Sequence, residues 1–265
     1  MSEAWLDTLK NLIFPIFCRQ CGYPLLTQEN GHFCPECWNL PQRIHAPFCT
    51  HCGQPHLQRN GFGAVANFPC TECHLPDLST YDRIFGAVGY EGAFAEAIKL
   101  LKFGDRSHIA RLLADAMAEF AEREMNCAQY DSLVPVPLHR VRRRDRGFNQ
   151  SELLAKQLLP SFPWARLDLS LKRIRPTRTQ STIRNRDARL KNVAGAFAVD
   201  AQESFEGETV LLIDDVATSG GTVAESARAL KRAGAIQVDV LVAAIPIEDM
   251  ERMDKGKRRA HSRIL

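Results

Sequence analysis

Hydrophobic and polar positions change their period along this chain. Residues 210–213 (VLLI) are apolar without a break, the pattern of a short strand buried on both faces of a parallel sheet. Residues 84–88, 133–137, 193–199 and 238–245 have a similar strand-like character. Between them apolar residues recur at helical spacing over 93–101, 108–127, 150–159 and 222–233. The second of these helices turns Leu112, Leu113, Met117 and Phe120 inward, and Gly234 stops the last. Strands alternating with helices predict an α/β domain built on an open, mostly parallel twisted sheet over residues 77–249. Residues 1–76 follow neither period, and 250–265 form a basic tail expected to be disordered.

Length and composition agree with this division. The 265 residues, 45% of them hydrophobic, suffice for one sizeable core and a small module. No run of 18 or more apolar residues occurs, so no membrane span is expected. The apolar stretch 12–17 is too short for a secretory signal, and Glu3, Asp7 and a lone Lys10 before it do not form a basic flank. A cytoplasmic protein is the expectation. The net charge of +3 hides an asymmetry: segments 140–146, 172–191 and 251–265 hold 19 of the 34 Lys and Arg but 4 of the 31 Asp and Glu. Local basic fields of this kind attract phosphorylated ligands or nucleic acid.

Eight of the nine cysteines fall into Cys-x-x-Cys pairs: Cys18/Cys21, Cys34/Cys37, Cys49/Cys52 and Cys70/Cys73. Such pairs present two thiolates each to a tetrahedral metal, the pattern of zinc ribbons, and disulfides suit a reducing compartment poorly. Up to two structural zinc ions are expected. Sequential grouping puts the first four cysteines on one ion and the last four on another, in preference to a cross-braced arrangement. A full Cys₄ shell leaves no open position for water, so the role is structural. His32, His45, His51, His56 and His74 are read as bystanders, and Cys127 as a lone thiol. Phe33, Trp38, Phe48, Phe62 and Phe68 offer rings for stacking on bases, although such rings usually pack around the metal sites.

The segment after the 210–213 strand carries the clearest chemistry. Asp214 and Asp215 stand where open α/β sheets bind ligands, at the carboxyl end of a strand. Val216, Ala217, Thr218, Ser219, Gly220, Gly221 and Thr222 follow, a run that brings backbone N–H groups and hydroxyls close to an anion at a helix N-terminus. A P-loop is excluded because no lysine occurs between Asp214 and Leu230. The pattern describes a sugar-phosphate pocket. It resembles the motif of type I phosphoribosyltransferases, which bind 5-phosphoribosyl-1-pyrophosphate (PRPP). That resemblance implies that Asp214 and Asp215 contact the ribose 2′ and 3′ hydroxyls, directly or through magnesium, and that the loop from Ala217 to Thr222 wraps the 5-phosphate.

Two basic segments join this pocket. Residues 139–150 (HRVRRRDRGFNQ) leave the carboxyl end of a strand as a loop with five guanidiniums, suited to phosphate recognition. Residues 173–182 read as a mobile lid, basic and hydroxyl-rich without apolar period. The order of a double zinc ribbon, VPVPL at 134–138, RGFNQ at 146–150, Thr179-Gln180, Asn192, GAF at 195–197 and the PRPP motif resembles the ComF (GntX-like) family of competence-associated proteins. Tyr90, Leu101 and Lys102 fit that family's earlier segment. By similarity to type I enzymes, Pro137, Leu138, His139 and Arg140 would bind pyrophosphate with Arg146 in support. Arg173, Arg175 and Arg178 are candidate charge partners on the lid, with Arg173 and Arg178 nominated for catalysis beside Asp214 and Asp215.

The resemblance implies PRPP as ligand and a role in DNA uptake during transformation or in DNA utilisation, with single-stranded DNA and DNA-uptake machinery proteins as partners. Two functions fit. One is an enzyme that moves a phosphoribosyl group, with magnesium, onto an acceptor the sequence does not name. The other is a non-catalytic PRPP-sensing or DNA-binding accessory protein. A transcription regulator fits less well, because the ribbons lack a recognition helix. The acceptor hood would come from the zinc module or from residues 86–106.

Overall fold

The computed structural model describes residues 15–25, 31–56, 67–70, 73, 80–103, 106–177, 192–217 and 220–247. Its centre is a five-stranded sheet whose strands β3 (Arg83–Gly89), β4 (Ser132–Pro135), β5 (Arg166–Leu167), β8 (Thr209–Val216) and β9 (Gln237–Ile245) are ordered β3-β9-β8-β4-β5. Every neighbouring pair is parallel. Leu211, Ile213, Val240 and Val242 are completely buried, which is why the apolar runs of the central strands do not alternate. Asp214 lies opposite Val242 in the register.

Helix α3 (Arg106–Glu124) packs against both α2 (Gly92–Phe103) and α5 (Gln150–Leu158), and α6 (Gly221–Arg232) packs against β9. From β4 the chain moves outward to β5, and from β8 it moves the other way to β9. Right-handed crossovers then place the two following helices on opposite faces, and a crevice opens between the carboxyl ends of β4 and β8. The antiparallel pair β6 (Leu171–Arg173) and β7 (Phe197–Val199) stands apart from this sheet and packs on α6.

The amino-terminal part is a short hairpin, β1 (Ile16–Phe17) with β2 (Pro24–Leu25), and helix α1 (Pro35–Asn39). It docks along β3. Ile44 N donates to Ala87 O at 3.1 Å, Gly89 N to Gln42 O at 2.9 Å and Ile84 N to His51 O at 2.9 Å. These bonds cover a strand edge that would otherwise stay open. Phe33, Ile44 and Phe48 are buried in the same core as Phe85, Phe94 and Phe120, so the metal-bearing part shares the body's apolar interior.

Local expectations are corrected in four places. Residues 140–146 form a helix, α4 (Arg140–Arg146), where a loop was expected. The His139 side chain accepts from Val141 N at its start, and Gly147, at φ 77°, donates to Arg143 O at its end. The 193–199 strand is confined to Phe197–Val199: residues 192 and 193 are helical, and Gly195 turns the chain at φ 63°. Helix α3 ends at Glu124, because Asn126 leaves helical geometry and Cys127–Gln129 form a 3₁₀ turn. The 133–137 strand runs Ser132–Pro135, so Pro137 lies beyond it. Among the described residues no helix is long and apolar enough to cross a membrane. The tail 250–265 lies outside them.

Candidate functional site

Each set of four cysteines comes together as the sequential grouping requires. The Sγ atoms of Cys18, Cys21, Cys34 and Cys37 lie within 4.8 Å of one another, and so do those of Cys49, Cys52, Cys70 and Cys73. Cys21 and Cys34 Sγ are 3.8 Å apart, as are those of Cys52 and Cys70. A tetrahedral ion with Zn–S bonds of 2.3 Å separates its sulfurs by about 3.8 Å, so both clusters fit zinc. In the second cluster Cys49 is pulled down to about 3, first by the Cys52 thiol and also by backbone N–H groups. His51, Cys52 and Cys70 supply those N–H groups at 3.4, 3.4 and 3.2 Å. The described histidines stay out of both clusters: His51 stacks on Tyr81 and His56 on Phe68. Phe33 and Phe48 are buried and Trp38 stacks on Phe94, which removes them from base stacking. Phe62 and His74 lie outside the described residues. Cys127 is half-buried, and burial raises its thiol.

At the β4–β8 crevice Asp214 and Asp215 are almost fully buried. Asp214 Oδ1 accepts from Ser151 Oγ at 2.8 Å and from Asp215 N at 2.9 Å. Asp215 Oδ1 accepts from Val216 N at 3.0 Å, and Asp215 Oδ2 lies 2.8 Å from Lys102 Nζ. Burial first, and then the charge of Asp215, push the Asp214 carboxyl up to about 7, against the pull of Ser151 and Lys102. The pair is thus poised to share its charge with hydroxyls or a cation.

Guanidiniums approach from two elements. Arg146, on α4, donates to Gln150 Oε1 at 3.0 Å and sits in the field of Asp215, while burial lowers its pKa. Arg173, on β6, is pushed down to about 10 by burial and then by Arg142, with Asp214 opposing. It lies over the Phe197 ring at 5.3 Å and bonds the Thr177 hydroxyl. A cleft of about 390 Å³ opens beside them between Pro137 and Leu138, Arg140 and Arg143 of α4, and Lys172 and Arg173. His139 is buried as the cap of α4. Arg175 Nη2 donates to Asn192 O at 3.1 Å and to Ala194 O at 2.7 Å, tying the two ends of the 174–196 connection together. Arg178 lies outside the described residues, as do Thr218 and Ser219.

Beyond that gap, Gly220 caps α6 at φ 70°, and Gly221 begins the helix buried, with Thr222 half-buried after it. Val216 and Ala217 pack on the core as the strand ends. A side chain at Gly220 would approach the Tyr81 hydroxyl to 3.6 Å. Glu225 of α6 accepts from Gly195 N at 2.9 Å, linking that helix to the turn before β7.

Three residues of this site were missed as site residues in the sequence. In the sequence Lys102 stands out only as part of the matching segment, yet its Nζ lies 2.8 Å from Asp215 Oδ2. Ser151 follows RGFNQ and gives no sign that it faces a strand 63 residues away. Asn149 caps α5, accepting from Ser151 N at 3.2 Å, and donates to Val136 O at 3.1 Å, which locks the strand exit to the helix start. A polar residue in the first turn of a helix entering a motif-rich crevice was the available signal.

Residues 146–264 match the phosphoribosyl transferase domain and residues 9–74 the double zinc ribbon domain. The DNA utilization protein YhgH of Salmonella typhimurium is 33% identical over 86% of this chain and 96% of its own length. Competence protein F of Haemophilus influenzae is 29% identical over 86% of this chain and 96% of its own. Competence protein ComFC of Bacillus subtilis is 27% identical over 79% and 82%. The crystal structure of TT1426 from Thermus thermophilus superposes on 57% of this chain and 79% of its own at 16% identity and a TM-score of 0.30, too loose a likeness to say more about the fold.

Proposed function

This chain belongs to the ComF family, whose members join a double zinc ribbon to a phosphoribosyltransferase domain and are linked to competence and DNA utilisation, and we propose that it binds PRPP at the β4–β8 crevice and transfers its phosphoribosyl group. The observation that carries the reading is the buried Asp214–Asp215 pair at the carboxyl end of β8, with α6 beginning at Gly221, four residues beyond Ala217. In this reading the two carboxylates take the ribose hydroxyls, and the loop of residues 217–222 takes the 5-phosphate on backbone N–H groups and the helix end.

The reaction breaks the bond between ribose C1 and pyrophosphate and forms one from C1 to the acceptor, which loses a proton. Its transition state is an oxocarbenium ion with charge growing on the leaving group, so the protein's main task is to stabilise departing pyrophosphate. Arg140, beside Pro137 and Leu138, is set for this with Arg146 and Arg173. Magnesium, when bound, would neutralise charge on the pyrophosphate. In this reading the part of the 173–182 segment that follows β6 would close over the crevice and exclude water, with Arg178 as a charge partner. The zinc ribbons act structurally, and a reducing cytoplasm suits their thiols.

The acceptor hood is assigned to both expected segments together, since Trp38 stacks on Phe94 with ring centroids 4.2 Å apart. Gln54 Nε2 also donates to Pro246 O at 2.6 Å, just past β9. Magnesium-dependent pyrophosphate release across a panel of nucleobases tests turnover. No release would remove those bases as acceptors.

A second reading, a PRPP-sensing accessory protein that holds single-stranded DNA, rests on the exposed Arg140, Arg143 and Arg144 of α4. The names of the relatives agree with such a role beside DNA-uptake proteins. Replacing Arg142, Arg143 and Arg144 by Ala should then weaken single-strand binding and flatten its salt dependence. Unchanged affinity would take α4 out of that reading.

A further inference from the structure

The ion pair between Lys102 and Asp215 has a form that a surface lysine does not need. Ala93, Phe94, Ala97, Ile98 and Leu101 bury one side of α2 in the core. Lys102 follows Leu101 in the last turn, where the helix dipole favours a cation. Its side chain is 28% exposed and that of Asp215 8%, and Nζ to Oδ2 is 2.8 Å. The hydrogen bonds to the acid pair from the described residues come from neutral donors, while Arg146 and Arg173 act on it through their fields. Ser151 Oγ and Asp215 N serve Asp214 Oδ1, and Val216 N serves Asp215 Oδ1. The ammonium therefore supplies a full positive charge where two adjacent buried carboxylates would otherwise repel each other or draw in a metal ion.

We propose that Lys102 is the tethered cation of the acid pair: it holds Asp215 oriented in the crevice and lowers the demand for a divalent ion at the two carboxylates. On the PRPP reading, with which this proposal is linked, Lys102 is a positioning residue. It presents Asp215 to the ribose diol, so that magnesium is needed for the pyrophosphate and not for the acids. An arginine at this position keeps the charge, whereas glutamine or methionine leaves Asp215 buried without the ammonium of its ion pair.

The test uses the zinc-loaded full-length protein as wild type, Lys102→Met, Lys102→Gln and Lys102→Arg, with zinc content and thermal melting as checks on folding. Manganese binding without PRPP is followed by electron paramagnetic resonance. Removing one positive charge beside Asp215 should tighten manganese binding roughly tenfold or more in the Met and Gln variants. Adding Asp215→Asn should abolish that gain, and Lys102→Arg should behave as wild type. Calorimetry with PRPP should show affinity that depends more steeply on magnesium in the neutral variants than in wild type. Manganese affinity and magnesium dependence unchanged in both neutral variants would overturn the proposal. Wild type that fails to bind PRPP while the manganese gain appears would instead overturn the PRPP reading and leave Lys102 as the cation of the pair.

Discussion

The His51 ring stacks on Tyr81 with centroids 4.9 Å apart and planes inclined by 17°. His51 belongs to the Cys49–Cys52 knuckle, and its carbonyl accepts from Ile84 N on β3. Tyr81 stands beside Gly220 at the start of α6. The His51–Tyr81 pair therefore runs from the second cysteine cluster to the neighbourhood of the helix end assigned to the 5-phosphate.

Loss of that cluster should be felt at the crevice. Replacing Cys49 and Cys52 by Ser should weaken PRPP binding more than replacing Cys18 and Cys21, as read by calorimetry on folded protein. An aromatic pair contributes about 0.5–1.5 kcal/mol, so His51→Ala alone should weaken binding by roughly two- to tenfold. Equal effects from both clusters would contradict this connection.

Burial and the charge of Asp215 raise Asp214 to about 7 from its ordinary 3.8, with Lys102 and Ser151 pulling the other way and Arg173 in its field. Between these values the unfolded chain loses the proton first, so rising pH favours unfolding. The stabilisation from neutral Asp214 is complete below about 4 and is gone above about 7. Asp214→Asn keeps an acceptor for Ser151 and has no charge to bury. Its melting temperature should exceed that of wild type by a margin that widens from about pH 4 to about pH 7 and levels off above, by several degrees at the roughly 2–4 °C expected per kcal/mol. A margin that stays constant over this range would show that Asp214 does not titrate there.

Gly22 and Gly53 hold equivalent places after Cys21 and Cys52, at φ 73° and 74°. Open space surrounds a Cβ at Gly22, whereas one at Gly53 would lie 2.8 Å from Ile84 O. Gly22→Ala should cost about 1 kcal/mol for the left-handed conformation alone. Gly53→Ala should cost about 2–3 kcal/mol and loosen the ribbon from β3. Urea unfolding compares them, and equal losses would contradict the docking of the second ribbon on that strand.

What the sequence revealed depended on how locally each feature is encoded. The strand at 210–213 was legible because burial on both faces leaves no polar position, and helix 222–233 because Gly234 ends its apolar period. The cysteine pairs were legible because metal coordination fixes their short spacing. Helix α4 was not, since its five arginines carry no apolar period and its form comes from the His139 and Gly147 caps. The β6–β7 pair joins strands of three residues each, too short to impose a period. Lys102 and Ser151 reach the acids from helices distant in the chain, and only the sheet order brings them there. Both acids were visible, while the lysine and the hydroxyl that hold them were not.

Calorimetric titration of PRPP in the presence of magnesium, comparing zinc-loaded wild type with Asp214→Asn/Asp215→Asn, is the most direct test of the assigned crevice. Saturable binding by wild type that the double variant loses is the expected result. No binding by folded wild type would contradict the assignment and leave DNA binding as the leading reading.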